Sequence, residues 1–268
     1  MPLSVRPVAR VLSFLGSTLA LTSCDGSLTV PGNQMTWGFF QTSALAAAGG
    51  TYSTQPSGQF FKGTLTSIPD ARVKPDTCIE LANTTNQQPL AVTFLDAGAS
   101  ITAQFGSRTD TIPRVSSASR TAYEASAPKA FQPGDSLIVK IPGAAGGFPA
   151  AEIRAKTAER LTIDSLSIKP QPAAAQLRWN ASSDPNSALL VEFRYSSTGG
   201  TTFNQLIRCA FVDDGADSVL FRVLQPWVGA NTGSRNVTYT RLRTSIVQIV
   251  GGFLEVISTF QVPTPLAP

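Results

Sequence analysis

The residues of this 268-residue chain that come nearest to a catalytic pattern are two serines: Ser136, within Gly134-Asp135-Ser136-Leu137, and Ser126, three positions before Lys129. A serine hydroxyl becomes a nucleophile only beside a base that takes its proton, most often an imidazole. The chain contains no histidine. That removes Ser-His-Asp and Cys-His catalysis, imidazole bases and the usual zinc enzymes together. Around Ser136, Gln132-Pro133-Gly134-Asp135 reads as a Pro-Gly turn opening the strand Ser136–Ile141. Asp213-Asp214-Gly215-Ala216-Asp217 would offer Ca²⁺ the oxygens of Asp213, Asp214 and Asp217, but the spacing fits no EF-hand loop. Asp-Gly between two strands is a hairpin signal, so a turn is expected there, without a metal or other cofactor. The 17 acidic residues leave a glycosidase-type carboxylate pair open, because the fold sets its separation.

The cysteines carry the more definite chemistry. Arg6 and Arg10 precede the apolar run Val11–Leu21, which is too short to span a bilayer and reads as the core of a secretory signal over residues 1–23. Leu21-Thr22-Ser23-Cys24 resembles the lipobox of bacterial lipoproteins. The resemblance implies cleavage before Cys24, a diacylglycerol on its thiol and an acylated amine, and two or more chains hold a protein stably on a membrane. Asp25 resembles an inner-membrane retention signal of such lipoproteins. With Cys24 acylated, Cys78 and Cys209 remain as an even pair in an oxidising compartment, where a disulfide is permitted and two separate thiols are the alternative. Cys209 alternates with Ile207 and Phe211 and so looks core-facing. Cys78 shares the face of Glu80, opposite Ile79 and Leu81, which argues against the bridge.

Two of the motifs resemble enzyme families without their partners. Gly134–Leu137 is similar to the nucleophile block of GDSL esterases, which implies a downstream Asp-x-x-His that this chain cannot supply. Ser126-Ala127-Pro128-Lys129 resembles the Ser-x-x-Lys of penicillin-recognising enzymes but has no Lys-Thr-Gly partner.

The elements that would position these residues are strands. Ser, Thr, Gly and Pro are abundant and charged residues make up 14%, a mix that suits short strands joined by turns. Alternation predicts strands at Met35–Gln41, Gln59–Thr66, Thr77–Ala82, Leu90–Leu95, Ser100–Phe105 and Ser136–Ile141, with a helical turn near Ser43–Ala48. It predicts further strands at Leu161–Ile168, Ala175–Trp179, Ala188–Tyr195, Gln205–Val212, Ser218–Val223, Val237–Arg243 and Phe253–Val262. Leu177-Arg178-Trp179 followed by Val191–Tyr195 resembles the B–C region of fibronectin type III domains, which implies a strand tryptophan packed on an aromatic of the next strand. The expected fold class is therefore all-β, with two immunoglobulin-like, Greek-key sandwich domains after the signal. The expected divisions are a tether at 24–34, an N-terminal domain at 35–141, a linker at 142–157, a C-terminal domain at 158–262 and a disordered tail at 263–268.

The formal charge of +4 falls to about +2 once Arg6 and Arg10 leave with the signal, and with no Lys/Arg cluster it gives no case for nucleic acid. Each of the doublets Phe39-Phe40 and Phe60-Phe61 must send one ring to either face of its strand. With Trp37 they are candidate interaction aromatics, unless both faces are buried between layers. Arg235, Arg241 and Arg243 are expected on a solvated face. The expected function is a non-catalytic binding or structural protein of the bacterial envelope, held to the membrane by its lipid and facing the periplasm or exterior. Its expected partner is an envelope protein. A carbohydrate-binding module is the alternative, and a carboxylate hydrolase a more remote one.

Overall fold

The computed structural model describes residues 35–46, 51–63, 76–82, 92–117, 120–168 and 173–264. The signal, Cys24, Asp25 and the tether lie outside them. The first strands are β1 (Met35–Ala46), β2 (Tyr52–Thr54), β3 (Ser57–Gly63), β4 (Thr77–Ala82), β5 (Val92–Phe94) and β6 (Ser100–Phe105). They are followed by β7 (Arg108–Ser116), β8 (Thr121–Glu124), β9 (Lys129–Ala130), β10 (Ser136–Ile141), β11 (Ala151–Lys156) and β12 (Ile163–Ile168). Next come β13 (Ala173–Trp179), β14 (Ser187–Tyr195), β15 (Gln205–Val212) and β16 (Ala216–Leu220), then the helix α1 (Phe221–Gly229), β17 (Arg235–Ile249) and β18 (Gly252–Thr264). The fold is all-β apart from α1 and a single 3-10 turn, Thr232–Ser234, among the described residues.

The strands form one 15-stranded sheet with the path β11-β10-β6-β7-β8-β3-β1-β18-β17-β14-β15-β4, and a small sheet β12-β13-β16. The large sheet folds back on itself, which brings β11 against β17 and β18. One core fills that fold. It takes Ile153, Leu137, Val139, Ile101 and Ile112 from β11, β10, β6 and β7, and Phe60, Phe40, Leu254 and Val256 from β3, β1 and β18. A second core lies under the small sheet and α1. There Leu177, Trp179, Val219, Leu224 and Trp227 meet Val191, Phe193, Ile207, Cys209, Tyr239 and Phe260. Each fully buried Phe or Leu contributes roughly 1.5–3 kcal/mol relative to exposure.

β1, β18 and β17 are long, at 12, 13 and 15 residues, and run through both cores. On β18 the inward positions read Leu254, Val256, then Ser258, then Phe260; on β1 they read Phe40, then Thr42, then Ala44. Register places Arg243, Ser258 and Thr42 in one row across the three strands, between the apolar groups of either side. Thr42 and Ser258 are buried, Arg243 is half-buried, and all three are bonded. Ser258 Oγ accepts the amide of Ala158 at 2.8 Å, the Thr42 and Thr54 hydroxyls lie 2.7 Å apart, and Arg243 pairs with Asp184. A buried polar group costs free energy unless it is hydrogen-bonded, so this row marks where one core ends and the next begins.

Two glycines make the spine possible. Gly251 takes a left-handed φ of +75° in the turn joining β17 to β18. A Cβ on Gly252 would stand 1.7 Å from the Thr36 carbonyl oxygen, so only glycine lets β1 lie parallel beside β18 at this point.

Several expectations are corrected. The linker expected at 142–157 contains β11, paired with β10 along its whole length. The expected partition is not linear, because β1 pairs with β18 and β4 with β15. The crossover is instead residues 157–162, pinned at Ala158 and Thr157, whose hydroxyl donates to the Gln132 carbonyl at 2.7 Å. Of the tail expected at 263–268, Pro263 and Thr264 pair with Thr238 and Val237 in β18, and 265–268 lie outside the described residues. Ser43–Ala46 continues β1 rather than turning helical, because its residues pair with β18 and β2. Phe221–Val223 belongs to α1, whose Leu224 and Trp227 lie three apart on one buried face.

Cys78 and Cys209 form a disulfide. They are direct register partners on β4 and β15, so they share a face. Cys78 packs against the second core, while Glu80, two positions on, is exposed at its rim and accepts from the Tyr195 hydroxyl at 2.9 Å. Burial, followed by the neighbouring Glu80 carboxylate, pushes the Tyr195 hydroxyl up to about 12. The bridge ties residues 131 apart in sequence. Replacing both cysteines by alanine is expected to lower stability by about 2–4 kcal/mol, read as a shift in the urea midpoint. A midpoint unchanged from wild type, with or without reductant, would contradict the bridge.

Candidate binding surface

The face of the spine opposite the cores carries a row of aromatic side chains. Register aligns Phe94 on β5, Phe61 on β3, Trp37 on β1 and Phe253 on β18 as direct neighbours across four adjacent strands. Directly opposed residues share a face, so the four rings form one line. Phe39 lies two positions along β1 on the same face. The rings touch in sequence: Phe61–Phe94 at 6.5 Å, Phe39–Phe61 at 5.5 Å, Trp37–Phe39 at 6.1 Å and Trp37–Phe253 at 5.4 Å between centroids. Trp37, Phe39 and Phe61 are nearly parallel, with interplanar angles of 16° and 15°. Parallel rings at these separations are offset along their planes rather than laid face on face. Trp37, Phe39, Phe94 and Phe253 are half-buried, and Phe61 is buried.

Phe40 and Phe60, also candidates from the sequence, are not on this surface. Both are fully buried in the first core, where Phe60 packs on Tyr123 at 5.3 Å and Phe148 at 4.5 Å. Phe94 and Phe253 belong to the row and were missed. Phe253 sits in a predicted strand beside Leu254, so its outward face was open to inference. Its alignment with Trp37 was not, because a parallel pairing of distant segments leaves no local sequence mark.

The acidic cluster does other work. Asp213 is buried and accepts from Arg241, which is itself fully buried, through Nε at 2.7 Å and Nη2 at 2.9 Å. It also accepts from Trp179 Nε1 at 2.8 Å and Ser187 Oγ at 2.6 Å. Arg241 further donates to the carbonyls of Arg160 and Asn180. Asp213 therefore already has its cation and cannot serve as the Ca²⁺ ligand considered above. Asp214 is exposed, and Asp217 is half-buried. Burial, with Asp76 and Asp214 nearby, raises the Asp217 carboxyl. Among the described residues, no three His, Cys, Asp or Glu side chains are grouped to hold a metal. Trp179 packs on Phe211 of β15 at 6.2 Å rather than on an aromatic of β14.

The arginines expected on a solvated face are all engaged. Arg241 is buried, Arg243 pairs with Asp184, and Arg235 lies 4.7 Å over the Trp227 ring and donates to the Val228 carbonyl at 2.9 Å. Ser136 opens β10 opposite Lys156, and Ser126 is exposed ahead of Lys129 on β9. No helix among the described residues is long and apolar enough to cross a membrane. No protein-family model and no curated protein matches the chain.

Arg241→Met would strand Asp213 in a dry site and is expected to cost about 3–5 kcal/mol of unfolding free energy by urea titration. The double variant Arg241→Met, Asp213→Leu is expected to recover part of that loss. A single variant as stable as wild type would contradict the burial of this pair.

Acid should weaken the fold through other carboxylates. Burial alone would raise Glu192, but bonds from Arg194 at 2.6 Å and from Arg208 at 2.9 and 2.7 Å outweigh it and hold the carboxyl below its ordinary 4.5. Glu159 is likewise lowered against its burial by Ser183 and Ser182, and Asp184 by Arg243 and Asn186. A carboxyl with a depressed folded value stabilises above its unfolded value and loses that contribution as pH falls through the folded one. Asp217 acts in the opposite sense. The melting temperature is expected to hold from pH 7 to about 5 and to fall below about pH 4.5, with a shallower fall in Glu192→Gln. A melting temperature that rises on acidification would overturn this.

Proposed function

We propose that the protein is a non-catalytic, lipid-anchored binding or structural component of the bacterial envelope, facing the periplasm or exterior, and that its outer aromatic row contacts a protein partner through Phe39, Phe61 and Phe94, the part away from the β17–β18 hairpin. The scaffold on this reading is a pair of immunoglobulin-like sandwich lobes sharing one spine. The observation that carries the proposal is the in-register line of Phe94, Phe61, Trp37 and Phe253 with Phe39 beside it. Half-exposed aromatics clustered on a rigid sheet are the kind of group that dominates protein interfaces. The anchor rests on Leu21-Thr22-Ser23-Cys24.

Two measurements test this reading. Cys24→Ala is expected to move the protein from the membrane fraction to the soluble one and to abolish acyl labelling. A photo-crosslinker at Phe39 is expected to give one discrete adduct in cells, while the same group at Glu152 on β11 gives none. Retention of Cys24→Ala on the membrane would overturn the anchor, and equal adducts from both positions would overturn the surface.

A further inference from the structure

We propose that the tip of the β17–β18 hairpin is a second membrane contact, seated in the headgroup region of the bilayer that holds acylated Cys24. The inference rests on the anchor proposed above. Val250 and Ile246 are the most exposed large apolar residues of the described chain, at 87% and 62%. Val250 forms the turn with Gly251, and Ile246 lies on the same sheet face as Phe253 and Trp37. The run Thr244–Leu254 and residues 35–61 contain no charged residue; the next residue, Glu255, opposes Ile246 and Phe39 on the outer face but is itself buried. An uncharged, apolar hairpin end with an adjacent tryptophan matches the boundary between headgroups and acyl chains.

The path of the chain supplies the occupant. The Thr36 amide donates to the Gly251 carbonyl at 3.0 Å, and Thr36 is the register partner of Gly252. The chain therefore enters β1 directly beside the hairpin tip. Residues 24–35 reach at most about 40 Å even when fully extended, so a lipid on Cys24 keeps this end of the molecule next to the bilayer. Lys62, exposed and paired with Thr36, puts a cation at the same end, where anionic headgroups would meet it. An exposed apolar tip beside the tether and next to a cation fits a bilayer surface.

Tryptophan emission reads the contact directly. Trp179 and Trp227 are 3% and 1% exposed, which leaves Trp37 as the tryptophan within reach of lipid. The mature lipidated protein is reconstituted in phosphatidylethanolamine–phosphatidylglycerol vesicles with and without bromine on the acyl chains. Brominated lipid is expected to quench part of the emission, and Trp37→Phe to abolish that quenching. Ile246→Asp with Val250→Asp is expected to stay anchored and folded, by flotation and circular dichroism, yet lose the quenching. Equal emission in both vesicle types, or quenching unchanged by the double aspartate variant, overturns the tip contact while leaving the anchor standing. Quenching lost together with a change from dimer to monomer assigns the tip to a second copy and also overturns it. A mass without acyl groups on Cys24 overturns the anchor and this inference with it.

Discussion

The parallel pairing of β1 with β18 joins the first described strand to the last and closes the spine on which both cores rest. A parallel ladder needs a crossover, and here the crossover is nearly the whole described chain. It cannot form until β17 and β18 have been made, so its contacts are among the most distant the fold contains, and folding dominated by such contacts is slow. Gly252 is the local condition for it, because any side chain there would meet the Thr36 carbonyl. The disulfide between β4 and β15 is a second long-range tie, at the far end of the same sheet.

The polar row Arg243, Ser258 and Thr42 explains why two cores can share three strands without merging. Its hydroxyls are bonded across the layers, to the Ala158 amide and to Thr54, so the crossover segment at 157–162 has one position along the spine. The Arg241–Asp213 pair does similar work inside the second core. It ties β17 to the end of β15 and, through Trp179, to the small sheet. Buried ion pairs add little net stability over apolar residues, but an arrangement that satisfies every donor specifies a single packing. The aromatic row stands on the back of this same spine, so the strands that carry its rings are fixed by the packing of the cores.

Much of the strand content was legible from alternation alone. Thr77–Ala82, Ser100–Phe105, Ser136–Ile141 and Gln205–Val212 coincide with observed strands. Arg108–Ser116 and Ala151–Lys156 were not foreseen, because polar and charged residues fill their exposed positions and leave only Ile112 and Ile153 as fully inward apolar marks. The helix α1 was hidden by Pro226 and by the strand-like alternation that runs into it. The stretch 142–157 read as a linker because small residues fill its first half, and the strand Ala151–Lys156 that follows was hidden behind them. For the aromatic row, the sequence pointed to Trp37, Phe39 and Phe61 and also to Phe40 and Phe60, which are in the core, while Phe94 and Phe253 joined the row through register. Pairing between segments far apart in sequence is decided by tertiary packing, and single-strand periodicity does not encode it.

The central claim is that the two cores are one cooperative body because β1, β17 and β18 run through both. Differential scanning calorimetry of the disulfide-bonded chain tests it most directly. The account predicts a single transition whose calorimetric and van't Hoff enthalpies agree, as in a two-state unfolding. Two resolved transitions, or a van't Hoff enthalpy near half the calorimetric one, would show that the lobes unfold separately and would contradict the shared spine.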